Sequence, residues 1–135
     1  MRIVLDTNVL VSGLLTPFNA PGEIVRMTSS GALRLCYDAR ILSEYKSVLH
    51  RPKFNLDPYH VSVLLDQIKT TGHPVAGIPL KKSLPDSTDE PFLEVAIAGK
   101  AASLVTGNLK HYPPAERQGV PVFSPAEFLK FYRKQ

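Results

Sequence analysis

The chain has 135 residues, 44% hydrophobic and 21% charged, enough for one compact domain with its own core and without the bias of a disordered or fibrous protein. No apolar run approaches the roughly 20 residues needed to cross a bilayer, and the first apolar segment follows directly on Met1-Arg2, so no membrane span or signal peptide is expected and the protein is placed in the cytoplasm. The single cysteine, Cys36, excludes an intrachain disulfide and a multi-cysteine metal site, and 16 Lys and Arg against 12 Asp and Glu, a formal +4 with pI near 9.3, lean toward polyanionic partners.

In chain order, Arg2 to Asp6 reads as a strand, Val9 to Leu15 as a helix, and Pro21 to Ser30 as a second helix closed by Gly31. A strand at Arg34 to Tyr37 follows, where Cys36 between Leu35 and Tyr37 is expected to pack as a small apolar residue. Asp38 has the place of an N-cap for a helix ending before Pro52, with Ile41, Leu42, Tyr45, Val48 and Leu49 on one face. Another helix starts near Pro58 with Val61, Leu64, Leu65 and Ile68 as its buried stripe, and Pro74 to Ile78 is a weak third strand. Lys81 to Ser87 is a polar loop, Phe92 to Ala98 a helix ending near Gly99, and Ser103 to Thr106 a strand broken by Gly107. Val120 to Phe123 is the last strand, an edge because of Pro121, and Ser124-Pro125-Ala126-Glu127 has the form of a capping box opening a final helix. Phe128, Leu129, Phe131 and Tyr132 give that helix more apolar surface than one covered face needs, which leads us to expect a homodimer or a protein partner.

Strands separated by helices predict parallel β-α units, hence an α/β/α sandwich with a mainly parallel central sheet. In such a sheet the carboxyl ends of the strands share one edge, where ligands gather. Asp6, after the first strand, and Thr106-Gly107-Asn108, after the Ser103 strand, are therefore expected near one another despite their separation in sequence. Glu44 stands mid-helix beside the apolar Tyr45, and Asp86 and Asp89 flank Ser87-Thr88 ahead of the Phe92 helix. Each acid also has an ordinary reading: Asp6, Asn8 and Asp89 as caps or turn residues, Glu44 as a solvated helical residue. The histidines His50, His60, His73 and His111 show no ligand spacing and read as structural or surface residues.

Four segments together resemble the PIN-domain ribonucleases, most of all the toxin components of bacterial and archaeal toxin-antitoxin pairs. They are Leu5-Asp6-Thr7-Asn8, Glu44 with the later Arg51-Pro52-Lys53-Phe54, Pro85-Asp86-Ser87-Thr88-Asp89 before Phe92-Leu93-Glu94, and Leu104-Val105-Thr106-Gly107-Asn108. The resemblance implies a three-layer α/β/α domain that cuts RNA with Mg²⁺ or Mn²⁺. It further implies Asp6, Glu44 and Asp89 as the core acids, Asp86 and Asn108 as additional metal donors, and Thr7, Asn8 and Thr106 as residues that orient them. Arg51, Lys53, Lys81, Lys82 and Lys110 are the cations available to an RNA backbone, although each also reads as a solvated surface charge. The family usually has an acid where this chain has Asn108, and a neutral amide holds a cation more weakly than a carboxylate. Two competing functions follow. One is a domain that has lost catalysis and binds RNA or protein. The other is a phosphate-accepting receiver domain, disfavoured because Asp6 is followed by Thr7-Asn8 where a receiver needs an acidic pair.

Overall fold

The computed structural model describes residues 1–135. Five strands, β1 (Arg2–Leu5), β2 (Arg34–Tyr37), β3 (His73–Pro74), β4 (Leu104–Val105) and β5 (Val122–Phe123), form one sheet in the order β3-β2-β1-β4-β5, all parallel. Six helices flank it: α1 (Thr7–Leu15), α2 (Ala20–Ser29), α3 (Ala39–Leu49), α4 (Pro58–Thr71), α5 (Glu90–Ala98) and α6 (Pro125–Arg133). Consecutive residues Ile3, Val4 and Leu5 of β1 are all fully buried, as are Leu104 and Val105 of β4. Side chains alternate between the two faces of a strand, so both faces of the sheet are covered and the three-layer α/β/α arrangement follows.

Local chemistry sets most of the helix starts. Asp38 Oδ1 accepts from Ile41 N at 3.0 Å to open α3, Asp57 accepts from Tyr59 N to open α4, and Ser124 with Glu127 completes the capping box of α6. Gly31, past the end of α2, takes φ +86, a conformation in which a side chain would be strained. Gly22 is required for a different reason: a Cβ there would lie 2.1 Å from the Pro17 carbonyl oxygen.

Two expectations are corrected. The third strand is only His73–Pro74, because its partner β2 ends at Tyr37, where Asp38 turns away to cap α3; one further bond, Val75 N to Tyr37 O at 2.8 Å, ends the pairing. α1 begins at Thr7, directly after Asp6, leaving no loop between strand and helix. On the last helix Phe128 and Leu129 are buried, while Phe131 and Tyr132 are partly buried and pack on the core beside Phe123 and Phe128. Exposed apolar side chains lie elsewhere, at Leu15, Phe18, Tyr59 and Val63. The edge position of the strand following Pro121, the stripe of α4 and the burial of Cys36 agree with the sequence reading.

Candidate active site

The strand order reverses at β1, which lies between β2 and β4, so the crevice past the carboxyl ends of β1 and β4 is the topological switch point of the sheet. Asp6 stands there. Although it occupies the position that caps α1, its side chain makes no cap bond; instead Oδ2 accepts 3.0 Å hydrogen bonds from Thr106 Oγ1 and from Tyr112 Oη. The loop after β4 is fastened to the same place, because Gly107 N donates to Asn8 Oδ1 at 2.9 Å and Asn108 N donates to Thr106 Oγ1 at 3.0 Å. A Cβ on Gly107 would sit 3.2 Å from Asn8 Oδ1, so the close approach favours glycine.

Beside this crevice lies the largest of three cavities, a cleft of about 490 Å³ against about 340 and 240 Å³ for the others. Its acidic wall carries Glu44, Asp86 and Asp89, with Thr7, Asn8 and His111 beside them. Glu44 is half-buried on α3 and receives a short hydrogen bond from Thr7 Oγ1, so the residue next to Asp6 orients a second acid. Asp86 is exposed and locally engaged, accepting from Thr88 N at 2.9 Å and Thr88 Oγ1 at 2.7 Å; those bonds hold its carboxyl below the usual carboxylate range. Asp89 is 7% exposed at the start of α5 and makes no cap bond.

Burial raises the pKa of both acids, and the Asp6 charge adds to the rise at Asp89. Burial is the largest cause of a raised pKa at Asp6, opposed by the Thr106 and Tyr112 hydrogen bonds. Asp89 is pushed up to about 6, by burial first and then by the Asp6 charge, with His111 acting in the opposite direction. Tyr112 is raised in turn by burial and by Asp6, which keeps its hydroxyl a donor. His111 Nδ1 lies 2.9 Å from Asp89 Oδ2, an ion pair only when the ring is protonated, and that buried oxygen has no hydrogen-bonding partner. The other face of the ring system is fixed by Asn108, whose Nδ2 meets His111 Nε2 at 2.8 Å.

The structure thus gathers Asp6, Thr7, Asn8, Glu44, Asp86, Asp89, Thr106 and Asn108 around one crevice, although no three acidic or histidine side chains are close enough to form a ready-made cation cage. Among the basic residues Arg51 is on the cleft wall and Lys53 is its exposed neighbour on the turn Pro52–Phe54, whereas Lys81, Lys82 and Lys110 are exposed and outside the cleft lining. Two participants escape sequence reasoning. Tyr112 and His111 sit just past the Thr106-Gly107-Asn108 motif, and the only available signal was their place after a strand end.

The site is thus a buried aspartate that a parallel sheet delivers to its switch point, next to a cleft walled by three further acids, in an α/β/α domain. The family described as PIN domain matches residues 2–110, and the chain belongs to it; PIN domains are generally nucleases. No curated relative matches the chain. No helix is long and apolar enough to cross a membrane.

Proposed function

We propose that this PIN domain is a metal-dependent endoribonuclease that hydrolyses RNA phosphodiesters, with Mg²⁺ or Mn²⁺ held by Asp6, Glu44 and Asp89 and aided by Asp86 and Asn108. The observation that carries the reading is Asp89 Oδ2, a buried carboxylate oxygen without a hydrogen bond on the wall of the acidic cleft, its charge disfavoured by burial and by Asp6. Two buried like charges are tolerated when a cation offsets them, and an all-oxygen donor set rich in carboxylates suits a hard divalent ion. Such an ion, when bound, lowers the pKa of a coordinated water and neutralises charge developing on the phosphate. The chain's own residues hold the acids and the strand. Thr106 and Tyr112 orient Asp6, Thr7 orients Glu44, and Arg51 on the cleft rim supplies a cation to the RNA backbone. Cleavage of a labelled single-stranded RNA, with Mn²⁺ and with EDTA, tests the reading: Mn²⁺-dependent products that vanish in Asp6→Ala support it, and identical background in both proteins refutes it.

A second reading, a PIN domain that binds RNA or protein without cutting, is favoured by Asn108, whose amide is engaged with His111 and brings no negative charge. Wild-type protein that retains RNA binding without Mn²⁺-dependent cleavage selects it. The resemblance to toxin components further supports a role as the toxin of a toxin-antitoxin pair acting in the cytoplasm, with an antitoxin partner and a homodimer. The exposed Tyr59 and Val63, bordering a shallow cleft with Leu14 and Val25, offer apolar surface for such contacts. A monomer by light scattering at micromolar concentration argues against the dimer.

A further inference from the structure

Phe54 is out of place for a structural residue. It is half-buried, yet it belongs neither to the hydrophobic core nor to the apolar side chains packed against it. It stands on the wall of the acidic cleft, at the end of the turn Pro52–Phe54, which Asn55 closes in the left-handed conformation at φ 47. The same turn puts Arg51 on that wall, and Lys53 Nζ lies over the Phe54 ring, 5.1 Å from its centroid. The cleft is divided accordingly: Val11, Val48 and Phe54 are its hydrophobic lining, while Glu44, Asp86 and Asp89 are its acids.

A nucleotide is divided in the same way, into a charged phosphate and a flat, largely apolar base. Resting on the reading of this cleft as an RNA-cleaving site, we infer that Phe54 is the platform on which a base of the bound strand stacks, while Arg51 and Lys53 hold the adjoining phosphates. Every base has a π-face, so stacking binds single strands with little regard to sequence. The exposed ammonium of Lys53 is displaced from the ring at small cost, because a phosphate oxygen receives it.

Binding of a labelled single-stranded RNA, and of an abasic strand of equal length, is measured by fluorescence anisotropy in Mg²⁺ on Asp6→Asn protein, in which cleavage is held off. Phe54→Ala and Phe54→Leu are expected to weaken RNA binding by about tenfold to a hundredfold, the range that loss of one base–aromatic stack produces, and Phe54→Tyr to preserve it. The abasic strand should bind all four proteins alike. Phe54→Trp adds a direct reporter, since the chain has no tryptophan: the RNA should quench its emission and the abasic strand should not. If the Ala and Leu variants bind RNA as tightly as Phe54 protein while Arg51→Ala weakens binding, the stacking inference fails and the RNA reading stands. If the parent binds no RNA, both fail.

Discussion

Replacing Asp89 by Asn should make the metal-free protein more stable. The carboxyl is 7% exposed, lacks a hydrogen bond on Oδ2, and has its pKa pushed up to about 6 from an ordinary 3.8 by burial and by Asp6. At about 1.36 kcal/mol per pKa unit, that shift corresponds to about 3 kcal/mol of destabilisation when the group is ionised, reduced to about 1–3 kcal/mol because the carboxyl borders an open cleft. Against this, Asn loses the attraction of a carboxylate for the start of α5, about 0.3–1 kcal/mol, and no cap bond is lost because none exists. The net gain of about 1–2 kcal/mol should raise Tm by about 3–10 °C in EDTA at pH 7.5 for a chain of this size. The pH dependence has a definite sign. The folded state binds the proton more tightly than the unfolded state, so wild-type stability is greatest below the unfolded pKa and falls as pH rises through about 6. The advantage of Asp89→Asn should therefore shrink to about half by pH 5 and disappear near pH 4. Thermal melts of both proteins across pH 4 to about 8 measure it. A lower Tm for Asp89→Asn in EDTA at pH 7.5, or a difference that does not change with pH, refutes the picture of an Asp89 whose charge is disfavoured by burial and by Asp6.

Asn108→Asp should tighten Mn²⁺ binding in calorimetry and raise RNA cleavage, because it adds a carboxylate to the field on a hard cation, while Asp6→Asn should abolish both; unchanged Mn²⁺ affinity in Asn108→Asp rules out a cation near that position. Tyr112→Phe removes the buried hydroxyl that donates to Asp6 Oδ2 at 3.0 Å and should cost about 1–2 kcal/mol in urea unfolding, an unshifted midpoint being the contrary result. Gly22→Ala should destabilise by about 1–3 kcal/mol despite alanine's better helix propensity, since its Cβ would meet the Pro17 carbonyl oxygen at 2.1 Å; a raised Tm would show that the contact relaxes without cost.

The parts of this protein legible in its sequence are those governed by neighbours along the chain. Asp38, Asp57 and the Ser124–Glu127 box cap their helices through bonds spanning two or three residues, and the Val61, Leu64, Leu65, Ile68 stripe is a matter of helical period. Parallel topology follows from strands separated by helices, and it brings Asp6 and Thr106 to one edge before any coordinate is known. What each acid does there was beyond the sequence. Asp6 reads equally well as a helix cap, and only the pairing of β1 with β4 decides otherwise, because it offers hydroxyl donors 100 and 106 positions away that outcompete the local backbone N–H groups. His111 looks like any surface histidine until the loop after β4 folds it between Asp89 and Asn108. Phe54, an apolar residue by composition, becomes a cleft residue because the turn that holds it lies off the packed layers. Caps and periods are settled by energies acting within a few residues, whereas the pKa values of buried acids and the partners of their oxygens depend on which distant segments the sheet register sets side by side.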